Sequence, residues 1–396
     1  MKLAERLSRI SEPQTIMMAK LSRELKAQGI DVVDLSLGEP DFDTPNHIRA
    51  AAKSAIDDGH THYTPVAGIA DLKKAVVHKL KRDNNLDYSP EQVVVSTGAK
   101  QSLANVVLSL VDPGDEVIIP TPYWVTYAAL VNLCQGKIVT IKGSFEHDFK
   151  ITPEQLEAAI TPKTKLFMFS SPCNPSGAVY TKDELEALAA VFSKHPEVFV
   201  ISDEIYEYIN YDGQHASIAQ FESMPERTII VNGLSKGFAM TGWRLGYIVA
   251  PLEIAKATEK LQGQFTSGTS SITQYAAVAA LINDTSTAVE MVKAFRERRD
   301  LFFDLLKDIP GLKINKPEGA FYLFPDISSF FGKSYEGQVI KDSSDLCAYL
   351  LHRAHVTTVS GDAFEEPNCI RMSYATSTEK LKLAAERLRT WLAKLQ

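Results

Sequence analysis

Lys236 is the residue that most demands a chemical explanation. It stands in the stretch 232–246, NGLSKGFAMTGWRLG, directly after the apolar run Thr228-Ile229-Ile230-Val231, a pattern that predicts a buried strand. Lysine is rarely buried, yet small and apolar residues flank this one on both sides. A desolvated ammonium loses its proton more easily, and the free amine is the nucleophile that condenses with a carbonyl. Ser235 precedes it and Arg244 follows eight positions on. Arginine keeps its charge at any physiological pH, and its planar fork suits a phosphate. The three residues together predict an activated amine beside a phosphate cradle. The plain alternative is a lysine that snorkels from the end of a strand.

The elements that would position such a site are written in the middle of the chain. Short apolar runs at 93–96, 116–119, 137–141, 166–169, 198–202, 228–231 and 247–250 alternate with amphipathic stretches at 100–111, 123–134, 153–160, 182–194 and 253–262. Strands that alternate with helices predict a mainly parallel, buried sheet. Sites in such sheets sit at the carboxyl ends of the strands. After the first run come Gly98, Ala99 and Lys100 at a helix start, where free backbone N–H groups attract an anion. After the second comes Trp124 in the Pro-marked string TPYW, placed to stack on a flat ring. Asn174, in SSPCNPSG, follows the run at 166–169; a simple Asx turn is the competing reading there. Asp203 follows the run at 198–202, in DEIYE. A carboxylate just past a buried strand is costly unless a cation faces it, and a protonated pyridine nitrogen is such a cation. A helix N-cap is the alternative for Asp203, and Tyr206 lies one helical turn on. Arg371 sits in the apolar pattern Cys369–Tyr374, where a buried guanidinium needs an anion, either a substrate carboxylate or an internal partner.

The strings SLGEPDFDTP, YTPVAGIADLKKAV, TPYW, NPSG, DEIYE, SKGFAMTGWRLG and IRMSYA closely resemble, in content and order, the signatures of class I aminotransferases, the aspartate aminotransferase family of fold type I. The resemblance covers the whole chain and is nearest to the bacterial aspartate branch. It implies an α/β chain of the pyridoxal 5′-phosphate (PLP)-dependent transferase fold type I. A large domain over 45–285 would hold a mainly parallel seven-stranded sheet, and 1–44 with 286–396 would form a smaller α+β domain. In that reading Lys236 carries PLP as a Schiff base and moves the Cα proton. Asp203 pairs with the ring nitrogen, Asn174 and Tyr206 hold the ring oxygen, and Trp124 stacks on the ring. Gly98, Ala99, Ser235 and Arg244 hold the phosphate, and Lys100 touches the cofactor and faces a distal acid group of the substrate. Arg371 and Asn174 clamp the α-carboxylate while Gly38 closes over it. Tyr63 reaches the phosphate of a neighbouring subunit, which implies a homodimer with shared active sites.

The implied reaction is ping-pong transfer of the amino group of an L-amino acid, aspartate or glutamate first, to a 2-oxo acid such as 2-oxoglutarate. One departure stands out. Some members of the branch carry a lysine before a proline near the N-terminus, tied to acidic or prephenate-type substrates; this chain has Glu12-Pro13. That argues against prephenate and weakens aspartate. An aromatic or broad-range aminotransferase, or a PLP-dependent lyase on the same fold, is the alternative.

Composition excludes several other classes. The chain has 396 residues, 45% of them hydrophobic, ample for a large core. Its net charge of −7 and lack of a basic block argue against nucleic acid or an acidic membrane surface as a partner. Cys134, Cys173, Cys347 and Cys369 are scattered without a CxxC, so no metal site or disulfide framework is expected. Reduced thiols, no signal-peptide pattern in 1–29 and no apolar run of about 18 residues predict a cytoplasmic protein that spans no membrane. The basic run Arg296-Glu297-Arg298-Arg299 reads as a solvated helix face.

Overall fold

The computed structural model describes residues 3–12, 14–211, 213–283 and 286–396. Pro13 and the side chain of Ile16 lie outside the described residues.

Seven strands form the central sheet, in the spatial order Val93–Ser96, Gly246–Val249, Thr228–Gly233, Phe199–Asp203, Thr164–Ser170, Glu116–Thr121, Lys137–Lys142. All neighbours run parallel except Gly246–Val249, which is antiparallel to the strands on both sides. Every residue of Val93–Ser96, Glu116–Thr121 and Thr228–Gly233 is buried. The strands read as continuous apolar runs for that reason: helices cover both faces. Each fully buried Val, Ile or Phe contributes roughly 1.5–3 kcal/mol of transfer free energy. The edge strand Lys137–Lys142 is mostly exposed or half-buried, with Ile141 its one buried residue.

The helices Ala99–Leu110, Thr126–Leu133, Pro153–Ala159, Lys182–Phe192 and Leu252–Phe265 fall between the strands as the pattern predicts. The structure adds two that the pattern does not reveal, Ala70–Asn84 and Ser271–Ile282. Ser271–Ile282 packs against both Asn46–Asp57 and Ala70–Asn84. It carries apolar residues on its half-buried positions as well as its buried ones, so no amphipathic period marks it.

A second group of elements draws on both ends of the chain. Val33–Asp34 pairs in parallel with Val356–Thr357. Val359–Ser360, Ile370–Ser373 and Tyr322–Leu323 form a three-stranded antiparallel sheet. The helices Gln14–Ala27, Ser286–Leu306, Ser343–Tyr349 and Thr378–Leu392 accompany them. Met17 and Leu21 face outward, and the helix Gln14–Ala27 buries Met18, Ala19 and Ser22. One expectation needs correction. The run 296–299 is not simply solvated: Arg299 is buried, its Nη1 donating to the Pro317 carbonyl at 3.0 Å. Its guanidinium lies 4.6 Å from the Tyr211 ring centroid, and Arg298 reaches Asp41 at 2.6 Å. Long guanidinium stems can cover apolar surface while their heads find partners.

Candidate active site

A cavity of about 410 Å³ opens where the carboxyl ends of the sheet strands meet the second group of elements. That volume falls in the range of small-molecule sites. It is lined by Ala99, Lys100, Trp124, Asn174, Asp203, Tyr206, Ser235, Lys236, Arg244, Arg371 and Gly38. Residues whose positions span the chain from Gly38 to Arg371 thus converge, because each follows a different buried strand or hangs from the opposing wall.

Asp203 ends the strand Phe199–Asp203 and is buried. No helix follows, so the N-cap alternative fails; Tyr206 sits in a turn. Burial pushes the Asp203 carboxyl up to about 6, against the pull of a hydrogen bond from Tyr127. The Tyr127 hydroxyl donates to Asp203 Oδ2 at 2.7 Å from the helix Thr126–Leu133. A buried carboxylate held this way lacks only a cation. Lys236 is half-buried on the cavity floor, and its Nζ donates to the Gly38 carbonyl at 2.5 Å. Burial lowers its ammonium to about 8; Glu39 opposes the shift, while Arg371 and Arg244 add to it. No carboxylate pairs with it among the described residues.

Arg371 is buried and without a carboxylate partner among the described residues, so the internal salt-bridge alternative fails. Its Nη1 donates to Asn174 Oδ1 at 2.9 Å and its Nη2 to the Ser36 carbonyl at 2.7 Å. Its Nε finds no acceptor. The guanidinium lies 4.5 Å from the Tyr322 ring centroid and 5.1 Å from that of Phe364. The Tyr206 and Tyr322 hydroxyls meet at 2.8 Å.

At the opposite end, Gly98 precedes the helix Ala99–Leu110 with φ of 86°. A Cβ there would collide with the Arg244 guanidinium, so glycine keeps that corner open. Ala99, Ser235 and Arg244 surround it, and Lys100 lies 4.8 Å from the Trp124 ring centroid. Burial and the Arg244 charge both lower the Lys100 ammonium.

These residues fit PLP. Helix N–H groups, Ser235 and Arg244 suit a phosphate dianion. The orphan carboxylate of Asp203 suits a ring cation, Trp124 offers an aromatic face, and Lys236 offers the amine. Tyr63 is not in this cavity; it is 101% exposed.

Three residues escaped the sequence reading. Tyr127 lies in an amphipathic stretch and carries no motif. Tyr322 follows a turn at the start of a strand. Arg23 lines the cavity from the N-terminal helix, and only its contacts in the fold mark it. Glu204, Glu207 and His215 converge closely enough to suggest metal ligands. Lys79, however, already contacts Glu207, and His215 Nε2 lies 3.1 Å from Glu204 Oε2.

Residues 30–388 match the family described as aminotransferase class I and II. An aspartate aminotransferase of Bacillus subtilis is 44% identical, with 100% of each chain covered. A bifunctional aspartate aminotransferase and glutamate/aspartate-prephenate aminotransferase of Petunia hybrida is 46% identical over 100% of this chain and 83% of that protein. The crystal structure of an aspartate aminotransferase from Rhizobium meliloti superposes with a TM-score of 0.97 at 44% identity and complete coverage of both chains. The chain belongs to the aminotransferase class I and II family, whose cofactor is pyridoxal phosphate.

Proposed function

We propose that this protein is an aspartate aminotransferase, moving the amino group of L-aspartate or L-glutamate to a 2-oxo acid such as 2-oxoglutarate. The observation that carries the reading is one cavity holding both a carboxylate-free Arg371 and a lysine lowered to about 8. The names of the full-length relatives support the acidic donor.

Bound PLP supplies an electron sink next to the amino-bearing carbon; the chain does the rest. Arg371 and Asn174 fix the α-carboxylate by a charge-assisted pair, which places Cα beside Lys236. Lys236 Nζ takes the Cα proton and returns it, a task suited to an amine titrating near neutrality. Asp203, oriented by Tyr127, presents its carboxylate to the ring nitrogen. Tyr206 holds the ring oxygen together with Asn174. Ala99, Ser235 and Arg244 hold the phosphate, with Gly98 keeping the corner open. Trp124 covers the ring and Gly38 closes over the substrate, both excluding water.

The same reading makes 45–285 the cofactor-binding domain and 1–44 with 286–396 the smaller one. It makes the working unit a homodimer in the cytoplasm, with Tyr63 reaching the partner's phosphate site. The full exposure of Tyr63 and the absence of any disulfide support it.

The test is a half-reaction. Holoenzyme is mixed with single amino acids and the cofactor absorption band followed. Conversion by aspartate and glutamate, reversed by 2-oxoglutarate, is expected. Conversion only by aromatic or alanine-type donors overturns the acidic assignment, and no conversion by any donor overturns the transaminase reading.

A further inference from the structure

We propose that Tyr322 is a positioning residue: its hydroxyl donates to the Tyr206 hydroxyl and so commits the Tyr206 proton to the ring oxygen of the cofactor. The inference rests on the reading above that Tyr206 holds that oxygen. Both tyrosines line the active-site cavity, and both are buried. They come from different parts of the fold. Tyr206 stands in the turn after the strand Phe199–Asp203, whereas Tyr322 opens the strand Tyr322–Leu323 and pairs in register with Ser373. Their hydroxyls meet at 2.8 Å, and neither has another hydrogen-bond partner among the described residues.

Proton counting sets the direction. A phenol has one proton to donate and lone pairs with which to accept. When the Tyr206 proton points at the ring oxygen, Tyr206 Oη is left to accept from Tyr322. The reverse arrangement turns the Tyr206 proton away from the cofactor. It also strands the Tyr322 proton in a buried place, which is costly. The Gly38 backbone abuts the Tyr322 hydroxyl, since a Cβ on Gly38 would collide with it.

Arg371 favours the same direction. Its guanidinium lies 4.5 Å from the Tyr322 ring centroid, and a nearby cation makes a phenol a better acid and a better donor. Burial raises both phenols. At Tyr322 Arg371 is the main opposing influence, whereas at Tyr206 the contact with Tyr322 adds to the rise and outweighs Arg371. Packing holds the pair in place: the Tyr206 ring meets the Tyr322 ring edge-on at 6.0 Å between centroids and the Phe321 ring at 5.5 Å. In a row of hydrogen bonds that all point one way, each donor is strengthened by the one behind it.

The experiment titrates the cofactor absorption band of holoenzyme against pH in wild type, Tyr322→Phe, Tyr206→Phe, the double variant and Tyr374→Phe. A donor to the ring oxygen draws off negative charge that otherwise holds the proton on the Lys236 nitrogen beside it, so losing the donor raises the midpoint. Tyr206→Phe should raise it by about one to two pH units, the size of one hydrogen bond to a charged group. Tyr322→Phe should raise it by about 0.1–0.6 pH units, the share that cooperativity adds. It should add nothing once the Tyr206 hydroxyl is gone. Tyr374 is equally buried and its hydroxyl lies 3.2 Å from that of Tyr211, outside the cavity lining. Tyr374→Phe should therefore leave the midpoint in place. A Tyr322→Phe midpoint equal to wild type, beside a raised Tyr206→Phe midpoint, overturns the Tyr322 assignment alone. So does a rise that persists in full without the Tyr206 hydroxyl, or one that Tyr374→Phe reproduces. A Tyr206→Phe midpoint equal to wild type overturns the ring-oxygen reading, and the assignment with it.

Discussion

Two lysines flank the turn that follows the strand Phe199–Asp203, and the fold treats them in opposite ways. Lys79 is fully buried against Glu207, which is itself only 3% exposed, and donates to Asn84 Oδ1 at 2.7 Å. Lys236 sits on the other side with a backbone carbonyl for an acceptor, aromatic rings 5.9 Å away, and two arginines that repel it. The turn divides DEIYE between these tasks. Asp203 and Tyr206 line the cavity, whereas Glu204 and Glu207 are buried among His215, Lys79 and Asn84. A buried lysine with a carboxylate is a structural cation; one without is a reactive amine. Counter-ions, more than depth, separate the two.

The largest effect should come from Lys236→Ala, which removes the proton carrier and should slow the half-reaction roughly 10⁴-fold. Stopped-flow absorbance with aspartate checks this, and a variant that turns over at the wild-type rate breaks the contrast at its functional end. Lys79→Met should instead cost about 3–5 kcal/mol of folding stability by stranding Glu207. Urea denaturation measures that, and the soluble fraction should keep its donor preference.

The sharpest form of the comparison applies the same substitution to the other lysine. In cofactor-free protein, Lys236→Met should stabilise the fold by up to about 3 kcal/mol at pH 7. The folded ammonium titrates at about 8 rather than 10.5. A proton held on Lys236 therefore costs stability in full below pH 8, and the cost disappears as pH rises toward 10.5. Thermal melts at pH 7 and pH 10 should show a gain at the first and little at the second. Melting points that fall for both Lys79→Met and Lys236→Met would erase the distinction. The smallest expected effect is Tyr127→Phe. It removes the bond that holds the Asp203 carboxyl down, so that carboxyl rises further and is more protonated at neutral pH. The half-reaction should slow about tenfold near pH 7 and recover as pH increases; a pH profile that does not move denies Tyr127 this role.

Much of this was legible in the chain. The seven apolar runs became the seven strands of one sheet, since a strand covered on both faces must be apolar throughout. Lys236, Asp203 and Arg371 stood out because each is a charged group within or just past an apolar pattern, whereas Asn174 stood out through the string NPSG. The helix Ser271–Ile282 was not legible, because apolar residues on nearly every face leave no helical period to mark it. Nor was the burial of Arg299, whose partners Tyr211 and Pro317 are distant in sequence.

What the sequence alone determined is the order of strands and helices and the identity of the groups at the strand ends, since both follow from local pattern and local cost. Only the tertiary structure decided which of two lysines meets a carboxylate, that Tyr127 holds Asp203, and that Arg23 reaches a cavity whose other walls lie up to 348 positions away. Those outcomes depend on side chains brought together by packing, and the distance between two charges in space leaves no trace in their spacing along the chain.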